Sequence, residues 1–217
     1  MSSKIRIGLI GAGDNTRARH IPGFQAIPDV ELTAVANRTS ASAQKVARDF
    51  QIPQVYEKWQ DLVADPKIHA VCIGTWPNMH CEITLAALAA GKHVLCEARM
   101  AMNATEAKEM LAAAQAKPHL IAQIVPSPFT LRVDKTVKRL LAEGYVGDLL
   151  AIDIHAGGGA FLNPDAPLHW RQDTDLSGFN VMTMGIWYEA LLRWVGEATS
   201  LVAKGKTFVK MRRDAQT

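Results

Sequence analysis

The sequence predicts an α/β fold with a doubly wound parallel sheet over its first 125 residues, followed by a smaller second domain. Short apolar segments typical of buried strands alternate there with segments of helical periodicity. The first apolar segment, Ile5–Ile10, runs directly into Gly11-Ala12-Gly13 and then into a polar, helix-compatible stretch. A strand, a tight turn and a helix in this order open a βα unit, the repeating element of such a sheet.

The glycine turn has the chemistry of an anion site. Gly11 and Gly13 let the backbone turn sharply and approach a bulky anion, while N–H groups of the following helix point at its charge. A dinucleotide pyrophosphate is the usual occupant. Thr16 replaces the third glycine of G-x-G-x-x-G, so an ordinary glycine turn is the alternative. A second strand at residues 30–37, where a dinucleotide fold reads the ribose, favours the cofactor.

The rest of the first domain continues the alternation. A helix is predicted over residues 40–51 with Ser40 as its N-cap, and another over residues 79–90, closed by Gly91. Asn103 and Glu106 form an N-cap and capping-box pair for a helix that extends through Gln115. Further strands are predicted at residues 69–75, 92–97 and 119–125.

The pattern changes at Pro126-Ser127-Pro128, which indicates a hinge between a domain at residues 1–125 and one at residues 126–217. Helices are predicted here at residues 130–142 and 180–195, one strand at residues 149–156, and two strands around Lys204-Gly205. A second domain with so few strands has unpaired sheet edges. We therefore expect either a truncated chain or a sheet that another subunit completes.

Composition argues against several classes of protein. The net charge of +3 comes from 24 basic and 21 acidic residues that are interspersed, without the basic stripe of a nucleic-acid-binding protein. No apolar run approaches the ~20 residues that span a bilayer, and the N-terminal run is too short for a secretory signal. The three cysteines lack metal-type spacing, and we interpret them as reduced core residues. We expect a cytoplasmic protein with no metal and with no nucleic-acid or membrane partner.

Several motifs, which together cover nearly the whole chain, are found in one known family. They are GLIGAG, HIPGF, VANRT, GTWPNMHCEITLAALAAGKHVLCEA, EGYVGDL, HWRQD, LSGFNVMTMG and RWVG. With these motifs the chain resembles the Gfo/Idh/MocA oxidoreductases. The resemblance implies an N-terminal Rossmann domain that binds NAD(P). It also implies a C-terminal α+β domain with an open, mostly antiparallel sheet, which carries the substrate pocket and mediates dimerisation. Compared with family members, this second domain is short.

The resemblance also implies which residues contact the cofactor. One group would line the pyrophosphate, and a second group would lie along the nicotinamide side of the same crevice. The first group is Gly11, Ala12, Gly13, Asp14 and Asn15, and the second is Thr75, Pro77, Asn78, His80, Glu97 and Ala98.

The residues after the second strand distinguish the two cofactors. An acid there accepts both ribose hydroxyls of NAD, whereas an arginine pairs with the 2′-phosphate of NADP. The positions are occupied by Asn37, Arg38 and Thr39. A guanidinium and hydroxyl groups without a carboxylate favour NADP(H), with NAD(H) as the alternative. Otherwise Arg38 is simply a solvated loop charge.

The catalytic positions depart from the family pattern. The family's Glu-Lys-Pro reads Glu97-Ala98-Arg99 here, so the lysine is missing. Arg99 cannot replace it as a proton donor, because a guanidinium keeps its proton at working pH. Thr183 and Trp187 stand where the family has the acid and the histidine of D-x-G-x-H.

Other residues are candidates for the missing proton transfer. Tyr188 could act as a general acid and Glu189 as a base, if burial and neighbours tune them. Arg171, from the loop before the helix predicted at residues 180–195, is the third predicted catalytic residue. His155 and His169 are further candidates, although a strand histidine before a glycine run is more commonly structural.

The sequence thus predicts an NAD(P)-dependent oxidoreductase that acts on a sugar, a polyol or a related hydroxyl or carbonyl compound. The expected partners are this small-molecule substrate and a second copy of the chain, bound through the C-terminal sheet. The alternative is a dinucleotide-binding sensor or regulator that has lost catalysis, since three catalytic positions are replaced. A hydrolase that uses bound NAD for transient oxidation is a third hypothesis.

Overall fold

The computed structural model describes residues 4–159, 161–179 and 181–214, which divide into two compact units. The first unit extends to Val125 and also includes a later segment, Thr174–Gly178. The second comprises Pro126–Asp173 and the residues from Phe179 onward. The chain therefore crosses between the units three times.

Six parallel strands form one sheet in the first unit. They are β1 (Ile5–Ile10), β2 (Val30–Ala36), β3 (Gln54–Tyr56), β4 (Ala70–Ile73), β5 (His93–Cys96) and β6 (Ala122–Ile124). Their order across the sheet is β3-β2-β1-β4-β5-β6. The chain builds outward on one side of β1 and then on the other, so the predicted doubly wound parallel sheet is confirmed. The sequence pattern did not predict β3, a short strand at the sheet edge.

Eight α-helices are present among the described residues. They are α1 (Ile21–Gln25), α2 (Ser40–Phe50), α3 (Trp59–Ala64), α4 (His80–Ala89), α5 (Ala104–Gln115), α6 (Asp134–Ala142), α7 (Thr174–Ser177) and α8 (Met182–Val195). A π-helical stretch, Thr16–His20, leads into α1, and 3₁₀ turns occur at Pro77–Met79 and Trp170–Gln172. No described helix is both long enough and apolar enough to cross a bilayer.

Side chains of the central strands pack on both faces of the sheet. Leu9 and Cys72 belong to one core cluster, and Ile10 and Ile73 belong to the other. Neighbouring positions on a strand point to opposite faces, so a strand buried on both sides needs a continuous apolar run. This explains why β4, with the sequence AVCI, carries no polar residue.

Two predicted helix caps need correction in detail. The N-cap of α2 is Thr39 rather than Ser40, because the Thr39 hydroxyl oxygen accepts the Ser42 N–H at 3.3 Å. Asn103 caps α5 as predicted and accepts the Glu106 N–H at 3.0 Å. The Glu106 carboxylate, however, accepts the N–H of Met102, one residue before the N-cap. The reciprocal half of the predicted capping box is therefore displaced by one residue.

The three cysteines are buried in the first unit as free thiols. Burial raises the pKa of Cys72 and of Cys96 to about 12, so both stay protonated at neutral pH. Burial also raises the pKa of Cys81. The interpretation of the cysteines as core residues agrees with this environment.

The second unit contains helices and irregular segments, and the strands predicted in it are wrong. Residues 149–156 and 201–214 form no strand in the described part of the chain, and Leu150 and Val202 are 93% and 98% exposed. An apolar β-prone segment needs a ladder of backbone hydrogen bonds to form a strand. Among the described residues, 149–156 have no such bond to another segment, and 201–214 have a single one, from the Leu168 N–H to the Arg213 carbonyl oxygen at 2.8 Å. Helix α6 starts at Asp134 rather than at residue 130, and α8 starts at Met182, while Asn180 lies outside the described residues.

One carboxylate joins the two long helices of the second unit. Asp134, at the start of α6, accepts hydrogen bonds from Arg193 Nε and Trp194 Nε1 of α8, both at 2.7 Å. The Thr130 hydroxyl donates to the same carboxylate at 2.8 Å. A buried carboxylate with this many donors is satisfied, so we interpret Asp134 as a structural residue.

The glycine turn and the end of β4 approach each other closely in the first unit. The Thr16 hydroxyl donates to the carbonyl oxygen of Gly11 at 3.2 Å, and Thr16 is buried. A Cβ atom at Gly74 would overlap both the Thr16 hydroxyl and the Gly11 carbonyl oxygen. The threonine at the third glycine position of the motif is therefore accommodated because the facing residue after β4 has no side chain.

We expect the substitution Gly74→Ala to lower the free energy of unfolding by about 2–3 kcal/mol. One of the two atoms that the new Cβ would overlap is a backbone oxygen, which cannot rotate away. Urea unfolding followed by fluorescence measures the change. Gly23→Ala in α1 is the matched control, since nothing lies within 4 Å of its added Cβ. Equal stability of the two variants would contradict the packing described above.

Candidate functional site

The crevice of the sheet lies where β1 and β4 end side by side. Strand order reverses at this point, and open α/β sheets bind ligands at such switch points. Gly11 has a φ of +82°, and a Cβ there would lie within 2.5 Å of the Thr75 backbone nitrogen. At Gly13, by contrast, an added Cβ would have no atom within 4 Å, so the space over the turn is open.

The helical segment that begins at Asp14 starts directly at this open space. The first N–H groups of a helix have no partners within it and carry the positive end of its dipole. The Arg17 N–H already closes a turn on the Gly13 carbonyl at 2.9 Å. An open glycine next to a helix start fits the pyrophosphate of a dinucleotide.

Asn37 supports the glycine turn. Its side-chain oxygen accepts the Ala12 N–H at 2.7 Å, so the end of β2 is fastened to the turn that follows β1. The sequence predicted Asn37 and Ala12 as cofactor contacts. The structure brings the two residues together, but the Asn37 side-chain oxygen and the Ala12 N–H are bonded to each other rather than open to a ligand.

Arg38 and Thr39 continue from Asn37 at the same edge of the sheet. The Arg38 side chain is exposed, and its Cζ lies over the ring of Trp76, 4.9 Å from the ring centroid. The Thr39 hydroxyl caps α2 and also donates to the Ser42 hydroxyl at 3.0 Å. Of the two predicted cofactor-reading side chains, Thr39 therefore has a structural role already, whereas Arg38 presents its charge at the surface.

The His80 ring lies between the ends of β4 and β5. Its Nδ1 lies 2.7 Å from the Arg99 carbonyl oxygen, and its Nε2 lies 3.1 Å from the Thr75 carbonyl oxygen. Burial lowers the pKa of this histidine and favours the neutral ring, which donates to only one of the two oxygens. The ring is 1% exposed and has no nitrogen left for a ligand, so its part in the predicted site is support.

The predicted residues Pro77 and Asn78 lie in the 3₁₀ turn between β4 and α4. The side-chain oxygen of Asn78 is buried and has no hydrogen-bond donor among the described residues. A buried acceptor without a donor is uncommon in native proteins and calls for an explanation, such as a bound group. Thr75, just before this turn, uses its hydroxyl on the Trp76 carbonyl at 3.2 Å.

Glu97 is the centre of a small polar network at the end of β5. One of its oxygens accepts from Asn15 Nδ2 and lies 2.5 Å from His20 Nε2, while the other accepts the Ala98 N–H at 3.0 Å. Burial alone would raise the pKa of this carboxyl, but the interactions with His20, Asn15 and Ala98 outweigh it and lower the pKa. The network links the helical segment after the glycine turn to the opposite wall of the crevice.

Sequence reasoning gave no role to His20 or Trp76, although both lay inside motifs that it used. The signals were a histidine in the HIPGF motif and a tryptophan directly after the strand-ending Thr75. Their partners are more than 35 residues away in the chain, so only the fold brings them together.

Arg99, which follows Ala98 at the family's lysine position, is bonded to Ser177 of α7. Its Nη2 donates to the carbonyl oxygen of Ser177 at 2.5 Å and to the Ser177 hydroxyl. Ser177 belongs to α7 and is buried in the first unit. The guanidinium therefore attaches α7 beside the crevice.

The predicted catalytic residues belong to the second unit. The two oxygens of Glu189 accept the Ser127 N–H at 3.1 and 3.0 Å, and one of them also pairs with Arg193 at 2.6 Å. Tyr188, one position earlier on α8, is 38% exposed. Since its carboxylate is already engaged, Glu189 is the weaker candidate for proton transfer.

The loop candidates of the second unit form an aromatic cluster. Arg171 lies over the Trp170 ring, 4.3 Å from its centroid, and its Nε is buried with no hydrogen-bond partner among the described residues. His169 accepts the Arg171 N–H at 3.2 Å, and burial lowers its pKa. His155 is exposed beside Asp153. No group of three or more metal-ligating side chains occurs in the part of the chain that the structure describes.

Thr183 and Trp187, which stand where the family has its acid and its histidine, both lie on α8. Trp187 stacks on Phe129, with ring centroids 5.6 Å apart, and Thr183 lies in the first turns of the helix. Neither residue offers the acid or the histidine of the family motif.

Two curated relatives to which this chain is similar are named as dehydrogenases. It is 30% identical to trans-1,2-dihydrobenzene-1,2-diol dehydrogenase of Sus scrofa, over 84% of this chain and 52% of the relative. It is 31% identical to levoglucosan dehydrogenase of Pseudarthrobacter phenanthrenivorans, over 80% of this chain and 46% of the relative. The chain therefore spans about half the length of the curated relatives it matches.

A solved structure with a related fold contains a nicotinamide cofactor. A variant of KijD10, a 3-ketoreductase from Actinomadura kijaniata in complex with TDP-benzene and NADP, superposes with a TM-score of 0.61 at 28% identity. The match covers 68% of this chain and 45% of that one. The family model described as an oxidoreductase family with an NAD-binding Rossmann fold matches residues 5–123, more than half of the chain. The chain thus belongs to the Gfo/Idh/MocA family of NAD(P)-dependent oxidoreductases.

Proposed function

We propose that the protein oxidises or reduces a sugar, a polyol or a related hydroxyl or carbonyl compound, with NADP(H) as its preferred cofactor. The observation that carries the proposal is the pairing of an open glycine turn with Arg38 at one edge of the crevice. No acid follows β2, so the site lacks the carboxylate that would accept the ribose hydroxyls of NAD.

The cofactor would lie along the crevice from Arg38 to Glu97. Gly13, Asp14 and Asn15 would hold the pyrophosphate, and Arg38 would pair with the 2′-phosphate. Asn78 would accept a hydrogen bond at the nicotinamide-ribose side, which would satisfy its buried oxygen. When bound, the cofactor supplies the acceptor or the donor of a hydride.

The protein itself has to move one proton at the substrate oxygen. Tyr188 is our proposed donor and acceptor of that proton, because its neighbour Glu189 is already bound to Ser127 and Arg193. Arg171 would orient the substrate. Both curated relatives named above act on compounds that carry hydroxyl groups, which supports this substrate class.

A catalytically inactive sensor of the same fold is the second candidate. It is favoured by Ala98 at the lysine position and by the bond between Arg99 and Ser177, since neither Ala98 nor Arg99 supplies an amine for proton transfer. Binding of the cofactor without turnover would support it.

We also propose that the protein self-associates through its second unit and acts in the cytoplasm. Leu150, Val202 and Phe208 of that unit are strongly exposed, and exposed apolar side chains are typical of interaction surfaces. The open sheet that the family resemblance implies would bury such residues.

We expect the protein to bind NADPH at least about tenfold more tightly than NADH, and Arg38→Ala to abolish the preference by weakening NADPH alone. Calorimetric titration with each dinucleotide measures both constants. Arg48→Ala is the matched control, since Arg48 is an arginine on α2 and its loss changes the net charge equally. Equal binding of NADPH and NADH by the unsubstituted protein would contradict the NADP preference.

We expect Tyr188→Phe to lower kcat by about 10²-fold in a spectrophotometric screen of sugars and polyols, because the variant lacks the proposed proton donor. Dinucleotide affinity and thermal unfolding should stay unchanged. Tyr145→Phe serves as control, since Tyr145 is strongly exposed elsewhere in the second unit. Full turnover by the Tyr188 variant would remove this residue from the mechanism.

A further inference from the structure

Arg38 is held in place by its neighbours along the chain. Before it, Asn37 is fixed by the bond between its side-chain oxygen and the Ala12 N–H. After it, Thr39 is fixed as the N-cap of α2. The backbone that carries the guanidinium is therefore anchored on both sides, to the glycine turn and to a helix.

Trp76 reaches the same guanidinium from a different strand. It follows Thr75 after the end of β4, whereas Arg38 follows β2, and β1 lies between these two strands. Adjacent strands are about 4.8 Å apart, so the two side chains together span roughly two strand spacings. The contact between Arg38 Cζ and the Trp76 ring, 4.9 Å from its centroid, therefore joins the segments that follow the two strands on either side of β1.

No acidic side chain neutralises the guanidinium among the described residues. None of the ion pairs that these residues form involves Arg38. An arginine that lies over an aromatic ring is held through the ring, and its N–H donors remain for a planar or tetrahedral oxyanion. A cation that is oriented but not neutralised is suited to a phosphate monoester.

We propose that Trp76 is a specificity-determining residue, which holds the Arg38 guanidinium ready for the 2′-phosphate of an adenosine. This inference rests on the proposed function, and in it Trp76 acts by positioning Arg38. Without the ring, the flexible arginine would have to be ordered by the ligand, so affinity would fall only for ligands that carry the 2′-phosphate. Ligands without this phosphate would not be affected.

The test is a calorimetric titration of the protein and its variants with NADPH, NADH, 2′,5′-ADP and 5′-AMP. We expect Trp76→Leu to weaken NADPH and 2′,5′-ADP by about fivefold, while NADH and 5′-AMP change less than about twofold. Trp76→Phe, which keeps an aromatic face, should retain most of the affinity. In an Arg38→Ala background, Trp76→Leu should have no further effect, because the group that it positions is gone.

Trp76→Met guards against a folding defect, since it keeps a large apolar side chain without a ring, and far-UV circular dichroism checks each variant. Equal weakening of NADPH and NADH would overturn the proposal, because Trp76 would then contact the adenosine shared by both. Unchanged NADPH binding in the Leu and Met variants, with a selective loss in Arg38→Ala, would overturn this inference alone. Failure of the unsubstituted protein to bind either dinucleotide would overturn the proposed function as well.

Discussion

The close approach of the glycine turn to the end of β4 is the constraint on which the rest of the first unit depends. Gly11, Gly74 and the buried Thr16 hydroxyl occupy a space in which no further side chain fits. This contact sets how near β1 and β4 can end, and therefore the width of the crevice between them. A threonine at the motif's third glycine position is possible only because a glycine faces it, so the two positions have to be considered together.

Hydrogen bonds from side chains to distant parts of the chain then fix the walls of this crevice. Asn37 ties β2 to the glycine turn, Glu97 ties β5 to the helical segment that contains His20, and the His80 ring lies between the carbonyl oxygens of Thr75 and Arg99. Asn37 and Glu97 each join segments that follow different strands. Rigid loops around an open glycine are the preorganisation that a dinucleotide site requires, since little has to be ordered when the ligand binds.

The sheet was predictable from the sequence, because strands buried on both faces need continuous apolar runs and Ala70–Ile73 supplies one. The strand β3 was not, since three residues at a sheet edge carry too little pattern. In the crevice, residue types predicted which positions face the cofactor, but not that the polar atoms of Asn37 and His80 contact backbone groups. In the second unit, residues 149–156 have the composition of a strand but form none. A strand also needs a paired neighbour, and the sequence of a segment does not show whether it has one.

Arg99 and Ser177 are 78 residues apart in the chain, yet their contact lies within one compact unit. During synthesis on a ribosome, the six strands emerge long before α7 does. The contact between Arg99 and Ser177 can form only after all six strands have been translated. The first unit is therefore complete only after Pro126–Asp173 of the second unit has been translated. A chain that stopped after Val125 would lack α7.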